Sequence, residues 1–136
     1  MTQQEIPIEN VEAGFPSPAG DYIEEPKDLN SVLVHRPAAT FFVRVQGDSM
    51  IGAGIQSGDI LVVDKSLDAR DGSIVIAVLD GEFLVKQFCQ WKDGSAWLVP
   101  ANPQFPAINV TGGMDFSIWG VVTAYIHQFV HEGISK

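Results

Sequence analysis

From residue 40 onward, apolar residues come in short runs broken by glycine and aspartate. The runs are TFFVRV (40–45), DILVVD (59–64), SIVIAVLD (73–80), GEFLVKQF (81–88), SAWLVP (95–100) and FSIWGVVTAYIHQFV (116–130). Rich in Val, Ile, Phe, Trp and Tyr, they predict β-strands, and the breaks GAGIQSG, ARDG, DG and KDG predict the turns between them. Asp80-Gly81 predicts a two-residue type I′ hairpin, which needs positive φ at both central positions. Asp93-Gly94 reads the same way. The last run is long enough to bend, and Gly120 is its candidate kink or bulge. The pattern predicts a mostly β protein, a compact curled antiparallel sheet.

The first 39 residues follow a different rule. Pro7, Pro16, Pro18 and Pro26, with Gly14 and Gly20, exclude a stable helix over residues 1–26 and predict an extended N-terminal arm. KDLNSVLV (27–34) predicts about two helical turns with Leu29, Val32 and Leu33 on one side. The expected division is therefore an arm with a short helix over 1–39 and a β-rich domain over 40–136.

Charge sharpens this division. The 136 residues carry a formal charge of −9, and residues 1–30 hold seven acids against one base. The acidic head reads as a solvated arm. Eight Lys and Arg in all are too few for a protein that neutralises duplex phosphates, so direct duplex DNA binding is not expected. With Cys89 as its single cysteine, the chain has no internal disulfide and no cysteine-based zinc site. No cofactor and no metal are expected. MTQQEIPIEN has neither the basic nor the apolar region of a signal peptide, and no run has the length of a membrane helix, so a cytoplasmic location is expected.

Candidate chemistry centres on FFVRVQGDSM (41–50), where a strand ends in Gly47-Asp48-Ser49-Met50. Ser49 is either a turn residue or a nucleophile, and no Gly-x-Ser-x-Gly elbow surrounds it. A nucleophilic serine needs a base. His35, His127 and His131 are candidates, but a Ser-His-Asp arrangement also needs a carboxylate to orient the ring, and only Glu132 lies near a histidine in sequence. Lys86 is the alternative. Strand alternation in GEFLVKQF sets Leu84, Lys86 and Phe88 on one face, so the amine is expected to be partly desolvated and its pKa depressed toward the range of a general base. The competing reading is a lysine whose stem merely covers apolar surface. Cys89 is assigned no chemistry.

These residues resemble the LexA/UmuD family of self-cleaving Ser–Lys peptidases. The resemblance rests on Val45-Gln46-Gly47-Asp48-Ser49-Met50, Gly58-Asp59, Asp80-Gly81-Glu82-Phe83 leading to Val85-Lys86, Pro100-Ala101-Asn102-Pro103 and Trp119-Gly120-Val121-Val122. It runs from about Ala13 to Ile126. Gly14-Phe15-Pro16-Ser17-Pro18-Ala19-Gly20-Asp21-Tyr22 is similar to the arm of UmuD-type members just after their cut site. The resemblance implies a fold of the LexA C-terminal-domain type, Ser49 as nucleophile, Lys86 as general base and Ala13–Gly14 as the scissile bond in the chain's own arm. It also implies an SOS DNA-damage response role, as the accessory subunit of an error-prone translesion polymerase.

The implied partners are a second copy in a homodimer, a RecA–single-stranded DNA filament as coprotease, a UmuC-type Y-family DNA polymerase and, as a further candidate, the sliding clamp. Ala19-Gly20 imitates the cut site, but the Phe-Pro-Ser-Pro register favours Ala13. The 13 residues ahead of Gly14 are too few for a helix-turn-helix domain, which disfavours a LexA-like repressor. A non-enzymatic, dimeric polymerase-binding module is the reading from a different class. The 34 residues between Gly14 and Ser49 span up to about 115 Å when extended, so reach does not separate cutting within one subunit from cutting between two.

Overall fold

The computed structural model describes residues 28–130. Contacts divide the chain into two units, the second beginning at Ala38. In the first, the helix α1 is Leu29–Leu33, shorter than the two turns predicted. The Asp28 carboxylate caps it by accepting from Asn30 N–H at 3.2 Å. Val34 is already extended, on the approach to His35-Arg36-Pro37, and none of the helix residues is buried. The expected apolar side of Leu29, Val32 and Leu33 is therefore not a packed face.

The second unit is a seven-stranded antiparallel sheet. Its strands are β1 (Thr40–Arg44), β2 (Ile60–Asp64), β3 (Ile74–Leu79), β4 (Glu82–Gln90), β5 (Ala96–Val99), β6 (Ile108–Val110) and β7 (Phe116–Ile126), in the order β1-β2-β7-β3-β4-β5-β6. Every predicted run supplies a strand. The long last run becomes an interior strand, paired with β2 on one side and β3 on the other.

Both faces of the sheet are covered, which explains why β2 and β3 read as nearly unbroken apolar runs. Along β3, Ile76 joins one core with Val45, Met50, Ile55, Leu61 and Val63. Its neighbours Val75 and Ala77 point the other way, into a second core with Phe88, Leu98 and Val121. The period of two makes this division automatic.

Two turns show how far local chemistry decides geometry. Asp80 and Gly81 have φ of 48° and 84°, as the predicted hairpin requires, and β3 and β4 close around them with Leu79 opposite Glu82. At Asp93-Gly94 only the glycine is left-handed, with φ 86°. Here Gln90 and Ala96 are the last pair, and the Asp93 carboxylate accepts from Ser95 N–H at 2.8 Å and from Ser95 Oγ. The side chain closes a longer loop that a two-residue turn would not accommodate.

The bend expected at Gly120 is present as a pair of irregularities in β7. Ile76 faces Gly120 while Ala77 faces Ile118, so Trp119 is the unpaired residue of a bulge. A second shift skips Thr123 between Val122 and Ala124. Gly120 is required for packing. A Cβ there would lie 2.5 Å from Val63 Cγ1, in a side chain with no exposure. Gly120→Ala is expected to destabilise the domain by about 1–3 kcal/mol through overpacking, read from the midpoint of urea unfolding. An unchanged midpoint would show that the β2–β7 contact is looser than described.

Candidate active site

β1 runs out through Val45 into the turn that carries Ser49. Val45 N–H donates to Asp59 C=O at 2.9 Å, and Gly58 N–H returns a bond to Val45 C=O at 2.8 Å. Gly47 then reverses the chain at φ 100°, a conformation that glycine adopts without Cβ strain. Ile51 N–H closes the turn on Asp48 C=O at 3.2 Å, leaving Ser49 and Met50 as its central residues. Met50 is buried at 2% exposure and anchors the turn in the first core, while Ser49 stays half-buried. The turn is thus pinned by the methionine beside the serine.

Lys86 reaches the same region from β4, where Val75 is its partner in register. The expected alternation holds at its centre: Lys86 and Phe88 are buried and Gln87 is not. Lys86 is only 8% exposed, and burial pulls its pKa below the ordinary 10.5. Among the described residues no carboxylate forms an ion pair with it. The ring of Phe105 lies 5.8 Å from Nζ. Such a position favours a neutral amine, because the ammonium form loses hydration without gaining a counter-charge.

Ser49 and Lys86 both line one cavity of about 410 Å³. Val43, Val45, Ile76, Phe83 and Trp119 give it mostly apolar walls. Trp119 is the bulged residue of β7, and it packs edge-on to Phe83 with ring centroids 6.2 Å apart. The bulge therefore sets one wall of the cavity. Ala13 and Gly14, the predicted scissile pair, lie outside the described residues, as do His131 and Glu132.

One histidine finds its carboxylate in space rather than in sequence. His127 does have a carboxylate partner, Asp59, bonded through Nδ1 to Oδ1. The two are 68 positions apart, so sequence neighbourhood gave no hint of the pair. Neither residue lines the cavity that holds Ser49. Asp59, 2% exposed, also accepts from Gln56 N–H at 2.8 Å. The pair ties the start of β2 to the residue after β7. The Cys89 thiol is pushed up by burial and then by the Asp71 carboxylate, which leaves it a poor nucleophile.

The sequence reading also missed a loop. Residues 100–105 pack on the serine turn: Gly52 N–H donates to Ala101 C=O at 2.6 Å and Asn102 Nδ2 donates to Asp48 C=O at 2.9 Å. The only signal for it was the proline-flanked Pro100-Ala101-Asn102-Pro103. Among the described residues no helix is long and apolar enough to cross a membrane, and no three His, Cys, Asp or Glu side chains cluster as metal ligands would.

A model of the peptidase S24-like family matches residues 6–123. The chain belongs to that family. It is 52% identical over 120 residues to protein SamA of Salmonella typhimurium strain LT2, covering 88% of this chain and 82% of SamA. It is 47% identical over 117 residues to protein ImpA of Escherichia coli, covering 86% of this chain and 79% of ImpA. The LexA repressor of Aeromonas hydrophila is 38% identical over 118 residues, which are 81% of this chain and 56% of the repressor. The chain is a UmuD-type member of the LexA/UmuD family, and the family makes it a self-cleaving serine peptidase in kind.

The buried lysine has a consequence for stability. Its pKa is lower in the folded chain than in the unfolded one, so the unfolded chain binds more protons between the two values. Stability therefore rises with pH through that window, and the penalty is full below the folded pKa. Lys86→Met keeps the stem and removes the charge. It is expected to stabilise the domain at neutral pH by on the order of 1 kcal/mol, about 4 °C in Tm, with the gain shrinking as pH approaches 10.5. Calorimetry at pH 7 and pH 10 reads both, and a Tm lowered at pH 7 would mean that Lys86 is held by a favourable charge interaction.

Proposed function

We propose that this protein is a serine endopeptidase of the SOS DNA-damage response that cuts its own arm at Ala13–Gly14, with Ser49 and Lys86 as a catalytic dyad. The reading is carried by one observation: Ser49 and a buried lysine, with no counter-charge among the described residues, line the same cavity. Neutral Lys86 Nζ takes the Ser49 Oγ proton as Oγ attacks the Ala13 carbonyl carbon. The tetrahedral intermediate collapses by expelling the Gly14 amine, which takes its proton from Lys86. Water then hydrolyses the Ala13 ester with Lys86 again as base, which frees residues 1–13. The small side chains of Ala13 and Gly14 suit a close approach of backbone to cleft.

A RecA–single-stranded DNA filament acts in this scheme by seating the arm in the cavity and adds no reacting group. The shortened protein, a cytoplasmic homodimer, serves as accessory subunit to a UmuC-type translesion polymerase, and contact with the sliding clamp belongs to the same proposal. Support for a binding role comes from apolar residues left on the surface near the end of β7. Tyr125 is 43% exposed, Phe129 93% and Val130 63%. The peptidase and the binding module are two stages of one protein in this reading: cleavage changes which surface is offered.

Purified protein is expected to shorten itself faster as pH rises, with a midpoint below 10.5 because burial favours the neutral amine. Ser49→Ala and Lys86→Ala should each lower the rate by about 10²-fold or more. N-terminal sequencing of the product should begin at Gly14. A product starting at Gly20 would move the cut, and wild-type cleavage by Lys86→Ala would remove the dyad.

A further inference from the structure

We propose that Asn102 is a positioning residue for Ser49, resting on the reading of Ser49 as nucleophile. Its side chain donates to Asp48 C=O at 2.9 Å, across 54 positions of sequence. That carbonyl belongs to the peptide whose N–H is Ser49's own. A trans peptide is planar, with its C=O and N–H pointing in opposite directions. Fixing the oxygen therefore fixes the amide. The Ser49 N–H is turned away from Asn102.

The arrangement is built from both sides. Asp48 C=O accepts a second bond, from Ile51 N–H, so the peptide is held at the oxygen by the turn and by the loop together. Asn102 is itself oriented. Its Oδ1 accepts from Gln104 N–H at 3.0 Å, which leaves the Nδ2 end facing Asp48 and settles which way the amide points. The flanking prolines, Pro100 and Pro103, limit the loop's backbone. Two further bonds lock loop and turn: Gly52 N–H to Ala101 C=O at 2.6 Å, and Ala101 N–H to the Met50 sulfur at 3.3 Å.

A held peptide has a use here because its amide is unspent. Among the described residues, the N–H groups of Asp48, Ser49 and Met50 donate to no acceptor. Adjacent unspent donors at a nucleophile are what a developing oxyanion requires, and they act well only if they need not reorganise. Asn102 supplies that rigidity from outside the turn. Among the described residues it makes no hydrogen bond to Lys86, so its effect is expected on the rate rather than on the titration of the base.

The test is self-cleavage of the full chain across the alkaline range, comparing wild type, Asn102→Ala and Asn102→Asp, with Ser49→Ala and Lys86→Ala as controls and Tm measured for each. Asn102→Asp keeps the acceptor for Gln104, loses the donor and adds a negative charge. Asn102→Ala adds no charge and so reports the pH midpoint cleanly. Both variants are expected to cleave about ten- to a hundredfold more slowly at the alkaline plateau, with the Asn102→Ala midpoint at the wild-type pH and Tm nearly unchanged. Cleavage by both variants within twofold of wild type overturns the proposal. So does a shifted midpoint with an unchanged plateau, or a rate loss that follows a lowered Tm and disappears on cooling. If Ser49→Ala or Lys86→Ala cleaves like wild type, the dyad itself fails, a result distinct from any failure at Asn102.

Discussion

The candidate site depends on burying most of a lysine. A lysine side chain on a central β-strand can reach solvent only by leaning along the strand, and Lys86 does not: it is 8% exposed and its position opposite Val75 is fixed by the β3–β4 ladder. An ammonium so placed loses part of its hydration, and among the described residues no carboxylate offsets that loss. The sheet therefore carries a residue that opposes its own stability at neutral pH. The neutral form escapes that penalty, and the neutral form is the one that can accept a proton. Structure and chemistry thus impose the same requirement on one atom.

Placing a serine in the same cavity as that amine is a problem of sheet geometry. β1 lies at one edge of the sheet, and β2 and β7 separate it from β3. Bringing the β1 exit toward β4 requires the sheet to bend, and β7 provides the bend with a bulge at Trp119 and a register shift near Thr123. Gly120 allows Val63 to pack against the bent strand where any Cβ would collide. The same bulge turns Trp119 into the cavity wall. The bulge at Trp119 therefore both helps to curve the sheet and shapes the site.

Much of this was legible in the chain because it is encoded locally. Period-two apolar runs and left-handed turn residues place the strands, and Asp80-Gly81 adopts the conformation its residue types require. What was not legible depends on distance in sequence. β6 is three residues, Ile108–Val110, too short for alternation to register. Asp93-Gly94 offered the same dipeptide as Asp80-Gly81 but different geometry, because the Asp93 side chain found Ser95. The Asn102 bond to Asp48 and the His127 bond to Asp59 span 54 and 68 positions, and no local rule connects such residues. Lys86 stood out only because a charged residue interrupted an apolar face. Its environment, not its identity, made it a candidate base.

The Asp59–His127 pair is a histidine–carboxylate couple set apart from the cavity that Ser49 lines. An imidazole needs a carboxylate to fix its tautomer and orientation, so a histidine relay requires two buried polar groups aligned on the serine. In this fold that couple is committed elsewhere. Asp59 takes His127 on one oxygen and Gln56 N–H on the other, and its backbone C=O receives Val45 N–H. Every one of these bonds braces the segment from Val45 to Ile60, within which Ser49 sits. A lysine base needs no orienting partner, since the walls around its stem direct the amine. On the proposed reading the polar pair braces the loop that carries Ser49, while burial depresses the pKa of Lys86.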